Sequence, residues 1–360
     1  MKKPTIAIVR GKFLNKYEMQ MYEPLVDRYD ITAFGSLTSY HDTYAFPVIK
    51  LPSPVDLPDF SYKMPILNRL FIDAHYLWGL EEKLKGFDIV HTAETYFHYT
   101  QQCLNVKRAG KVKKVIATVL ENIPFNNEGI WGRNGFKARS RRELDHIVAL
   151  THKTKDALIT EGVDPTKMSV IPHFIDTKRF VPAPPRKTVQ TILFCGRLEE
   201  YKGVFDFVEM ARRLPSSLRF VMVGAGSQRD TLKRQGIEVR SVPYHDMPAI
   251  YQEADVFVAP SKSTKTWEEQ YCTVLLEAQA AGLPIVTTNT GGIPENVGDA
   301  GILVPPGDVD AMTRAVRRFI SDPALRIAYG KKARMRAVRV HDITIGAEKL
   351  NLLYQKLLPH

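Results

Sequence analysis

The chain has 360 residues, of which 44% are hydrophobic and 25% are charged, and its net charge is +11. The length fits two domains, and this globular composition without a low-complexity tract argues against disorder. Nowhere do eighteen apolar residues follow one another, which argues against a membrane-spanning helix.

Short apolar runs rich in β-branched residues recur along the first half and alternate with helix-like segments. This alternation is typical of buried parallel strands joined by crossover helices. It predicts six strands, at residues 5–9, 30–34, 88–92, 114–120, 146–150 and 168–172.

Two segments of the first half are candidate surfaces. Residues 57–80 place several aromatics among apolar and basic residues, which fits either core packing with a loop or an amphipathic surface for a membrane or lipid acceptor. The basic cluster Lys137, Arg139, Arg141 and Arg142 could meet phosphates, an anionic bilayer or an acidic acceptor, or could simply be a solvated helix face. It lacks the interleaved aromatics of a nucleic-acid site, so we expect no nucleic-acid partner.

The second half repeats the strand pattern after a proline-rich stretch. Residues 176–190 hold three prolines and show no periodicity, which predicts an interdomain linker. Six further strands are predicted at residues 191–196, 219–224, 238–242, 255–260, 284–289 and 301–306. Two doubly wound α/β domains follow, with a ligand cleft between their strand ends.

A turn rich in cations follows the strand at 191–196. In GRLEEYKG, Gly196 permits a tight exit from the sheet, and Arg197 and Lys202 stand just before a helix that begins near Gly203. A helix N-terminus attracts anions, and two cations add charge-assisted hydrogen bonds. The turn is therefore a candidate phosphate site, although a solvated charged turn is the alternative.

Two acids later in the chain strengthen this interpretation. Glu269 stands in the loop before a helix, and Glu277 stands inside that helix among small and apolar residues. A carboxylate in such surroundings needs a partner, and a ribose diol with two hydroxyl donors is a suitable one.

The order of GRLEEYKG, E-x7-E, AGLPIV, TGGIPE and GILVPPGD is similar to glycosyltransferase family 4. The resemblance implies a GT-B fold and a nucleotide-sugar donor, with Arg197 and Lys202 on the diphosphate, Glu277 on the ribose and Glu269 on the sugar hydroxyls. Backbone amides of Gln270, Tyr271, Cys272 and Thr273 would approach the sugar and phosphate. Relatives often carry Phe-Gly where this chain has Tyr271 and Cys272, which leaves the sugar open.

Other donor-side positions are less specific. Gly224 and Gly226 follow a strand and would let backbone approach a ligand, and Tyr244 in the turn 242–247 would lie near the nucleobase. A purely structural turn is equally compatible with both.

The first half departs from the family pattern. The expected Gly-Gly pair after the first strand is reduced to Gly11, and no histidine follows the fourth strand. Glu121 is the best acceptor-side candidate there, and His91 and Glu94 are weaker ones.

The resemblance implies a retaining hexosyltransferase that needs no metal, because two cations and a helix end can stabilise the leaving diphosphate and no D-x-D metal site is apparent. Its acceptor would be a glycan, a lipid-linked sugar or a small molecule, as in cell-surface polysaccharide or glycolipid synthesis. A sugar epimerase or phosphorylase of the same fold, or a non-catalytic nucleotide-sugar binding protein, is the alternative.

We expect an acceptor-side domain at residues 1–177, a donor-binding domain at 178–341, and a C-terminal helix over about 342–358 that packs back on the first domain. Cys103, Cys195 and Cys272 are widely spaced, and the apolar run after Lys2 and Lys3 ends at Arg10, too short for a signal-peptide core. These features predict a cytoplasmic protein that could touch an anionic membrane from inside.

Overall fold

The computed structural model describes residues 2–41 and 43–358. Its chain divides into two compact units, one formed by residues 1–173 with 344–360 and the other by residues 174–343. Each unit is a parallel sheet with helices, as the sequence predicted. Among the described residues, no helix combines the length and apolar character needed to cross a membrane.

The first unit contains a seven-stranded parallel sheet in the order β3-β2-β1-β4-β5-β6-β7. Its strands are β1 (Thr5–Gly11), β2 (Asp30–Ser36), β3 (Val48–Leu51), β4 (Ile89–Ala93), β5 (Lys114–Val119), β6 (His146–Ala149) and β7 (Met168–Val170). Its helices are α1 (Lys16–Met19), α2 (Lys63–Phe71), α3 (Leu80–Lys83), α4 (His98–Arg108), α5 (Arg133–Glu143) and α6 (His152–Thr160). Short 3₁₀ turns lie at Gln20–Leu25, Pro54–Asp56 and Pro165–Lys167.

The second unit contains a six-stranded parallel sheet in the order β10-β9-β8-β11-β12-β13. Its strands are β8 (Thr191–Cys195), β9 (Arg219–Val223), β10 (Glu238–Arg240), β11 (Val256–Ala259), β12 (Ile285–Thr288) and β13 (Gly301–Val304). Its helices are α7 (Val204–Arg212), α8 (Arg229–Arg234), α9 (Met247–Glu253), α10 (Val274–Ala280), α11 (Ile293–Val297), α12 (Val309–Ser321) and α13 (Pro323–Val340), with 3₁₀ turns at Glu200–Lys202 and Tyr244–Asp246.

All twelve predicted strands are present, because the central strands are buried on both faces and therefore read as apolar runs. The prediction missed β3, a four-residue edge strand that is only partly buried and lies between Pro47 and Pro52. Such a strand carries neither a long apolar run nor a clear alternation of polar and apolar residues.

The proline-rich stretch is packed onto the second unit. Residues 181–190 have neither helix nor strand, but Arg326 donates to the carbonyls of Arg186 and Lys187, and Arg334 donates to those of Thr177 and Phe180. The guanidinium groups of Arg326 and Arg334 hold these backbone carbonyls and fix the stretch in place. The predicted linker therefore packs on the second unit, and the predicted division after residue 177 lies inside that unit.

The last helix, α14 (Ile343–Leu357), packs within the first unit. The Tyr354 hydroxyl contacts His91 Nδ1 at 2.7 Å in a fully buried network, and the Tyr29 hydroxyl donates to Asn351 Oδ1 at 2.9 Å. Arg28 and Glu348 add an exposed ion pair of 2.9 Å. Tyr354, near the end of the chain, thus supplies a hydrogen-bond partner for the His91 side chain on the central strand β4.

Tyr354→Phe is expected to lower the free energy of unfolding by about 1–2 kcal/mol, because it removes the closest hydrogen-bond partner of the buried His91 ring nitrogen. Chemical denaturation monitored by circular dichroism measures the change. Leu352→Ser on the same helix is the control, since Leu352 is 59% exposed and should shift stability little. Equal losses in the two variants would contradict the proposed importance of the buried network.

Candidate functional site

A cavity of about 200 Å³ lies at the carboxyl edge of the second sheet, between the loops that follow β8 and β11. These strands are neighbours in the sheet although two strands and three α-helices separate them in the sequence, so their loops diverge and leave a crevice. The cavity is lined by side chains or backbone of Phe194, Cys195, Gly196, Arg197, Lys202, Ala259, Ser261, Glu269, Cys272, Thr273 and Val274. The structure thus brings together the two predicted cations and the first predicted acid.

Lys202 and Glu269 form an ion pair across this cavity. The Lys202 ammonium lies 2.6 Å from Glu269 Oε2, and the Ser261 hydroxyl donates to the same oxygen at 2.8 Å. Glu269 is buried, so these charge-assisted hydrogen bonds compensate for its lost hydration. The ammonium has three N–H donors, so the pair orients Lys202 without using up its capacity to bind an anion.

Arg197 is exposed at the rim of the cavity. Its guanidinium lies over the Tyr201 ring at 5.1 Å, and the Lys202 ammonium lies 5.0 Å from the centroid of Trp267. The Tyr201 and Trp267 rings contact each other at 4.4 Å between centroids. This aromatic pair, which the sequence analysis missed, holds both cations by cation–π contacts and orients them toward the cavity.

Two glycines allow the site's loops to approach each other. Gly203, with φ +72°, precedes α7, and a Cβ there would overlap the carbonyl oxygen of Pro260. Gly291, with φ +54°, would in the same way strike the carbonyl oxygen of Glu269, which also accepts from the Gly292 N–H at 2.8 Å. The TGGIPE motif therefore positions the backbone of Glu269.

Gly224 and Gly226 support the loop after β8 and do not line the cavity. A Cβ at Gly224 would overlap the carbonyl oxygen of Gly196, and one at Gly226 would overlap that of Leu198. The Leu198 N–H donates to the Ala225 carbonyl at 2.8 Å. The two glycines therefore support the backbone of the loop that carries Arg197.

Backbone around Cys272 is strained at the wall of the cavity. Cys272 has φ +58°, a left-handed conformation that costs a non-glycine residue about 1–2 kcal/mol. The buried Asn296 amide offsets this strain by donating to the carbonyls of Tyr271 at 2.5 Å and Cys272 at 3.2 Å. Burial also raises the pKa of the Cys272 thiol well above its ordinary value, so the thiol is protonated.

Tyr271 and Thr273 lie on either side of this strained residue. The Tyr271 ring is buried against His341, at 6.3 Å between ring centroids, and does not line the cavity. Thr273 caps α10 and does line it. Gln270, half-buried in the loop before the helix, is not among the lining residues.

Glu277 lies on α10 beneath the end of β8. It is buried, and its Oε2 accepts a hydrogen bond of 2.7 Å from the Tyr251 hydroxyl. Burial raises its pKa to about 7, against the hydrogen bond from Tyr251 and the positive charge of Arg179. In the described part of the chain, its Oε1 accepts no hydrogen bond, which leaves an acceptor for a ligand hydroxyl.

Tyr244 is linked to Glu277 through Arg179. The Arg179 guanidinium stacks over the Tyr244 ring at 4.0 Å and donates to the Tyr244 carbonyl at 2.6 Å. Phe180 packs near both Tyr244 and Tyr251. The predicted nucleobase position thus adjoins the acid predicted to hold the ribose.

In the first unit, Glu94 and Glu121 follow neighbouring strands β4 and β5. Burial raises the pKa of Glu94 to about 8, and the charge of Glu121 adds to the rise. Burial also raises the pKa of Glu121, but its carboxylate accepts from the Ile123 N–H at 3.0 Å and from Asn126 at 2.7 Å. Glu94 Oε2 is buried without a hydrogen-bond partner among the described residues. Burial thus favours the protonated form of Glu94, whereas the donated hydrogen bonds favour the carboxylate form of Glu121.

His91 is a structural residue. It is fully buried, its Nε2 contacts the Thr118 hydroxyl at 2.8 Å, and burial lowers its pKa well below the ordinary value. The neighbouring Arg10 is also buried and donates to the carbonyls of Val9 and His91. This network fills the core below the strand ends.

A histidine–aspartate pair at the same edge was not anticipated. His75 Nδ1 lies 3.1 Å from the buried Asp73, which also accepts from Arg133 at 2.9 Å. The His75 ring packs against Phe13 and Phe97, which follow β1 and β4. Only the D-x-H spacing could have indicated the pair from the sequence.

The basic cluster is paired inside the unit. Lys137 is buried and lies 2.7 Å from Glu161, Arg141 lies 2.8 Å from both Glu128 and Glu161, and Arg139 lies 3.1 Å from Glu143. Arg142 alone of the four is exposed. Acids outside the cluster therefore pair with three of its four cations.

Segment 57–80 does present an apolar surface. Helix α2 buries Lys63 and Leu67, whereas Tyr62 just before it is 78% exposed and Leu70 is 70% exposed. Ile66 and Trp78 are also exposed, and the Arg69 guanidinium lies over Trp131 at 4.6 Å. The segment thus combines a small core contact with an outward apolar face.

Comparison with solved structures defines the class of fold. The chain resembles Anabaena HepE in complex with UDP with a TM-score of 0.77 at 14% identity, covering 98% of this chain and 100% of that one. It resembles sucrose-phosphate synthase from Thermosynechococcus elongatus with a TM-score of 0.76 at 18% identity, covering 99% of each chain. The fold is that of the two-domain GT-B glycosyltransferases.

Sequence families then identify the chain within that class. The model described as Glycosyltransferase Family 4 matches residues 27–179, and the model described as Glycosyl transferases group 1 matches residues 189–322. The chain belongs to glycosyltransferase family 4.

Curated relatives match part of their length. Glycogen synthase of Mycobacterium tuberculosis is 33% identical over 219 residues, which are 56% of this chain and 51% of that protein. D-inositol 3-phosphate glycosyltransferase of Corynebacterium jeikeium is 30% identical over 250 residues, which are 60% of this chain and 58% of that protein. The chain thus spans about half the length of such relatives.

The pKa of Glu277 gives a test of the ribose assignment. Burial favours the protonated form, so the fold is most stable below the ordinary pKa of 4.5 and loses this contribution as pH rises toward about 7. A ribose diol favours the carboxylate, so affinity for a nucleotide sugar is expected to rise up to about tenfold between about pH 6 and about pH 8. Isothermal titration calorimetry across this range measures the rise, using the nucleotide sugar that most stabilises the protein.

Glu277→Gln is the matched control, because glutamine keeps the shape and the contact with Tyr251 but does not titrate. Its affinity should be lower and should not change with pH. A slope in the variant equal to that of the wild type would mean that another group is responsible.

Proposed function

We propose that this protein is a retaining glycosyltransferase that moves a sugar from a nucleotide-sugar donor to an acceptor hydroxyl. One observation carries the proposal: Arg197, Lys202 and Glu269 line one cavity at the switch point of the second sheet, beside the helix that bears Glu277. Ligands of parallel α/β sheets bind at such points.

Each donor part has a chemically suitable partner. Arg197 and Lys202 would bind the diphosphate, Glu277 would accept from the ribose hydroxyls, and Glu269 would meet hydroxyls of the sugar. Tyr244, next to Arg179, would adjoin the base. Related structures were solved with UDP and UDP-glucose, and a relative in Mycolicibacterium smegmatis is named for GDP-mannose, so several nucleotide sugars are reasonable candidates.

The charges of the cavity suit a leaving diphosphate. Glu269 pairs with Lys202, whereas Arg197 makes no direct ion pair among the described residues, so an incoming diphosphate would supply a direct counter-charge. As the bond to the anomeric carbon breaks, negative charge grows on the phosphate oxygen beside these two cations. We propose that this suffices for catalysis without a metal ion.

The transfer itself would be a same-face displacement. The acceptor oxygen forms a bond to the anomeric carbon, the electron pair of the old carbon–oxygen bond leaves with the diphosphate, and the acceptor proton passes to that departing phosphate. Glu269 is assigned to hydroxyls of the sugar, so the proposal includes no covalent glycosyl intermediate of the kind retaining glycosidases use.

The acceptor is assigned to the first unit. Glu121, as a carboxylate, would hydrogen-bond an acceptor hydroxyl, with a protonated Glu94 as a donor next to it. Relatives are named for glycogen, for phosphatidylinositol mannoside and for a diphosphoundecaprenol-linked sugar. We propose a glycan, lipid-linked or small-molecule acceptor in polysaccharide or glycolipid synthesis, and the three buried unpaired thiols fit a reducing compartment.

Other activities of the same fold make different predictions. An epimerase would release free nucleotide without any acceptor, a phosphorylase would require inorganic phosphate, and a binding protein would show no turnover. Product analysis by NMR with and without acceptor and phosphate separates them, and the coupling constant of the new anomeric proton reports retention or inversion.

Lys202→Ala is expected to reduce turnover at least about tenfold while the protein still folds, because it removes one charge-assisted hydrogen bond of roughly 2 kcal/mol to the leaving diphosphate. Steady-state release of nucleoside diphosphate, measured with EDTA present, gives the rate. EDTA itself should not reduce wild-type turnover.

Lys265→Ala is the matched control, because Lys265 is an exposed cation in the loop between β11 and α10 but does not line the cavity. It should keep near-wild-type turnover. Unchanged turnover in Lys202→Ala, or equal losses in both variants, would contradict the assignment of Lys202 to the diphosphate.

We also propose that the face of α2 that carries Ile66 and Leu70 touches a membrane. The paired state of the basic cluster means that insertion of apolar side chains, rather than attraction to anionic lipid, would supply the binding. Vesicles of phosphatidylglycerol and phosphatidylethanolamine should float the protein with little dependence on salt.

The double variant Ile66→Ser, Leu70→Ser should lose at least half of this flotation. Ile159→Ser on α6, where Ile159 is 41% exposed, should retain it. Absence of flotation of the wild-type protein would remove the proposal.

A further inference from the structure

A larger cavity lies elsewhere in the second unit. It has a volume of about 440 Å³, within the range of small-molecule sites, and is formed between the proline-rich stretch, the end of α10 and one face of α13. Its apolar wall includes Pro182, Leu283, Ile327, Met335 and Val338. Met335 is 46% exposed and Val338 is 42% exposed, so the wall is open to a ligand.

This cavity, here called the α13 groove, has a basic rim. Lys331 and Arg339 line it from α13, are exposed, and have no carboxylate partner among the described residues. The acid on the opposite side, Asp255, is already paired with Arg186 at 2.9 Å. The Arg334 guanidinium also lines the groove, and it donates to backbone carbonyls.

The rim and the wall belong to one face of a helix. Ile327, Lys331, Met335 and Arg339 are spaced four residues apart on α13 and therefore form one stripe along it. Two unpaired cations alternate with apolar side chains in this stripe. A ligand complementary to it has an apolar body and a negative group.

The α13 groove is separate from the donor cavity. Asp255 and Pro284 at the groove immediately precede β11 and β12, so the groove lies at the amino edge of the sheet, whereas Arg197 and Ser261 follow strands at the carboxyl edge. The two cavities lie at opposite ends of α10. A nucleotide sugar in one would not fill the other.

We propose that the α13 groove is a second small-molecule site, which binds an amphiphilic anion: an alkyl or aryl body against Pro182, Leu283 and Met335, and an acid group at Lys331 or Arg339. The proposal does not depend on the proposed transfer reaction, since it concerns a different edge of the sheet. The positive charge of the rim favours an anion over a neutral amphiphile.

The test titrates the full chain with 11-(dansylamino)undecanoate and follows dansyl fluorescence. One saturable site is expected. Decanoate should displace the probe, whereas decanol at equal concentration and a nucleotide sugar should not. Lys331→Glu, Arg339→Glu together should weaken binding at least tenfold, and Met335→Glu should also weaken it.

Arg314→Glu, Arg318→Glu is the matched control, because both cations are exposed on the neighbouring α12 and neither lines the groove. This variant has the same change in net charge and should bind within twofold of the wild type. Thermal melts establish that all variants fold.

Four results would overturn the proposal: no saturable binding, equal losses in the two charge-reversal variants, displacement by a nucleotide sugar, or loss of binding in Leu70→Ser on α2. Light scattering, which measures the oligomeric state, gives a further test. A dimer that excludes the probe and that Lys331→Glu, Arg339→Glu dissociates would assign the groove to a second copy of the chain instead.

Discussion

Close approach of backbone at the carboxyl edge of the second sheet is the constraint on which the site depends. Gly203 and Gly291 lie where any Cβ would overlap a carbonyl oxygen of a neighbouring loop, Pro260 O in one case and Glu269 O in the other. Because backbone approaches backbone closely at these two points, Lys202 and Glu269 reach each other although 67 residues separate them. A side chain at either glycine would displace a loop and separate the charges, so the cavity depends on these residues as much as on the charged ones.

The same edge distributes charge in a way that favours a diphosphate. Lys202 and Glu269 neutralise each other, and Glu277 has a pKa near neutrality because burial penalises its charge. Arg197 at the rim makes no direct ion pair among the described residues, and its guanidinium lies over the Tyr201 ring with the charge of Glu199 nearby. A guanidinium held by a cation–π contact remains available to an anion, whereas one paired with a carboxylate would first have to give up that partner.

The sequence predicted those structural features that depend on neighbouring residues, and it missed those that depend on contacts between distant residues. The buried strands are apolar along their whole length, so they were predicted without knowledge of their neighbours, whereas β3 needs its pairing with β2 to be recognised. The candidate donor-site residues could be identified because the chemistry of each fits its own motif; they are Arg197, Lys202, Glu269 and Glu277. Asn296 and Ser261 hold those motifs in place through contacts that no local pattern reveals. The two interpretations of the cluster around Lys137 stayed open for the same reason, since its partner Glu161 lies outside the cluster.

In the first unit, the departure from the family pattern has a structural counterpart. Gly11 occurs alone, and a Cβ there would press on the Tyr99 ring, so the exit of β1 is packed against the core beside the buried Arg10. The strand ends of this sheet instead present two carboxyls whose pKa values are raised by burial, at Glu94 and Glu121, together with the Asp73–His75 pair. Under the proposed transfer, the acceptor would therefore be recognised by the side chains at these strand ends.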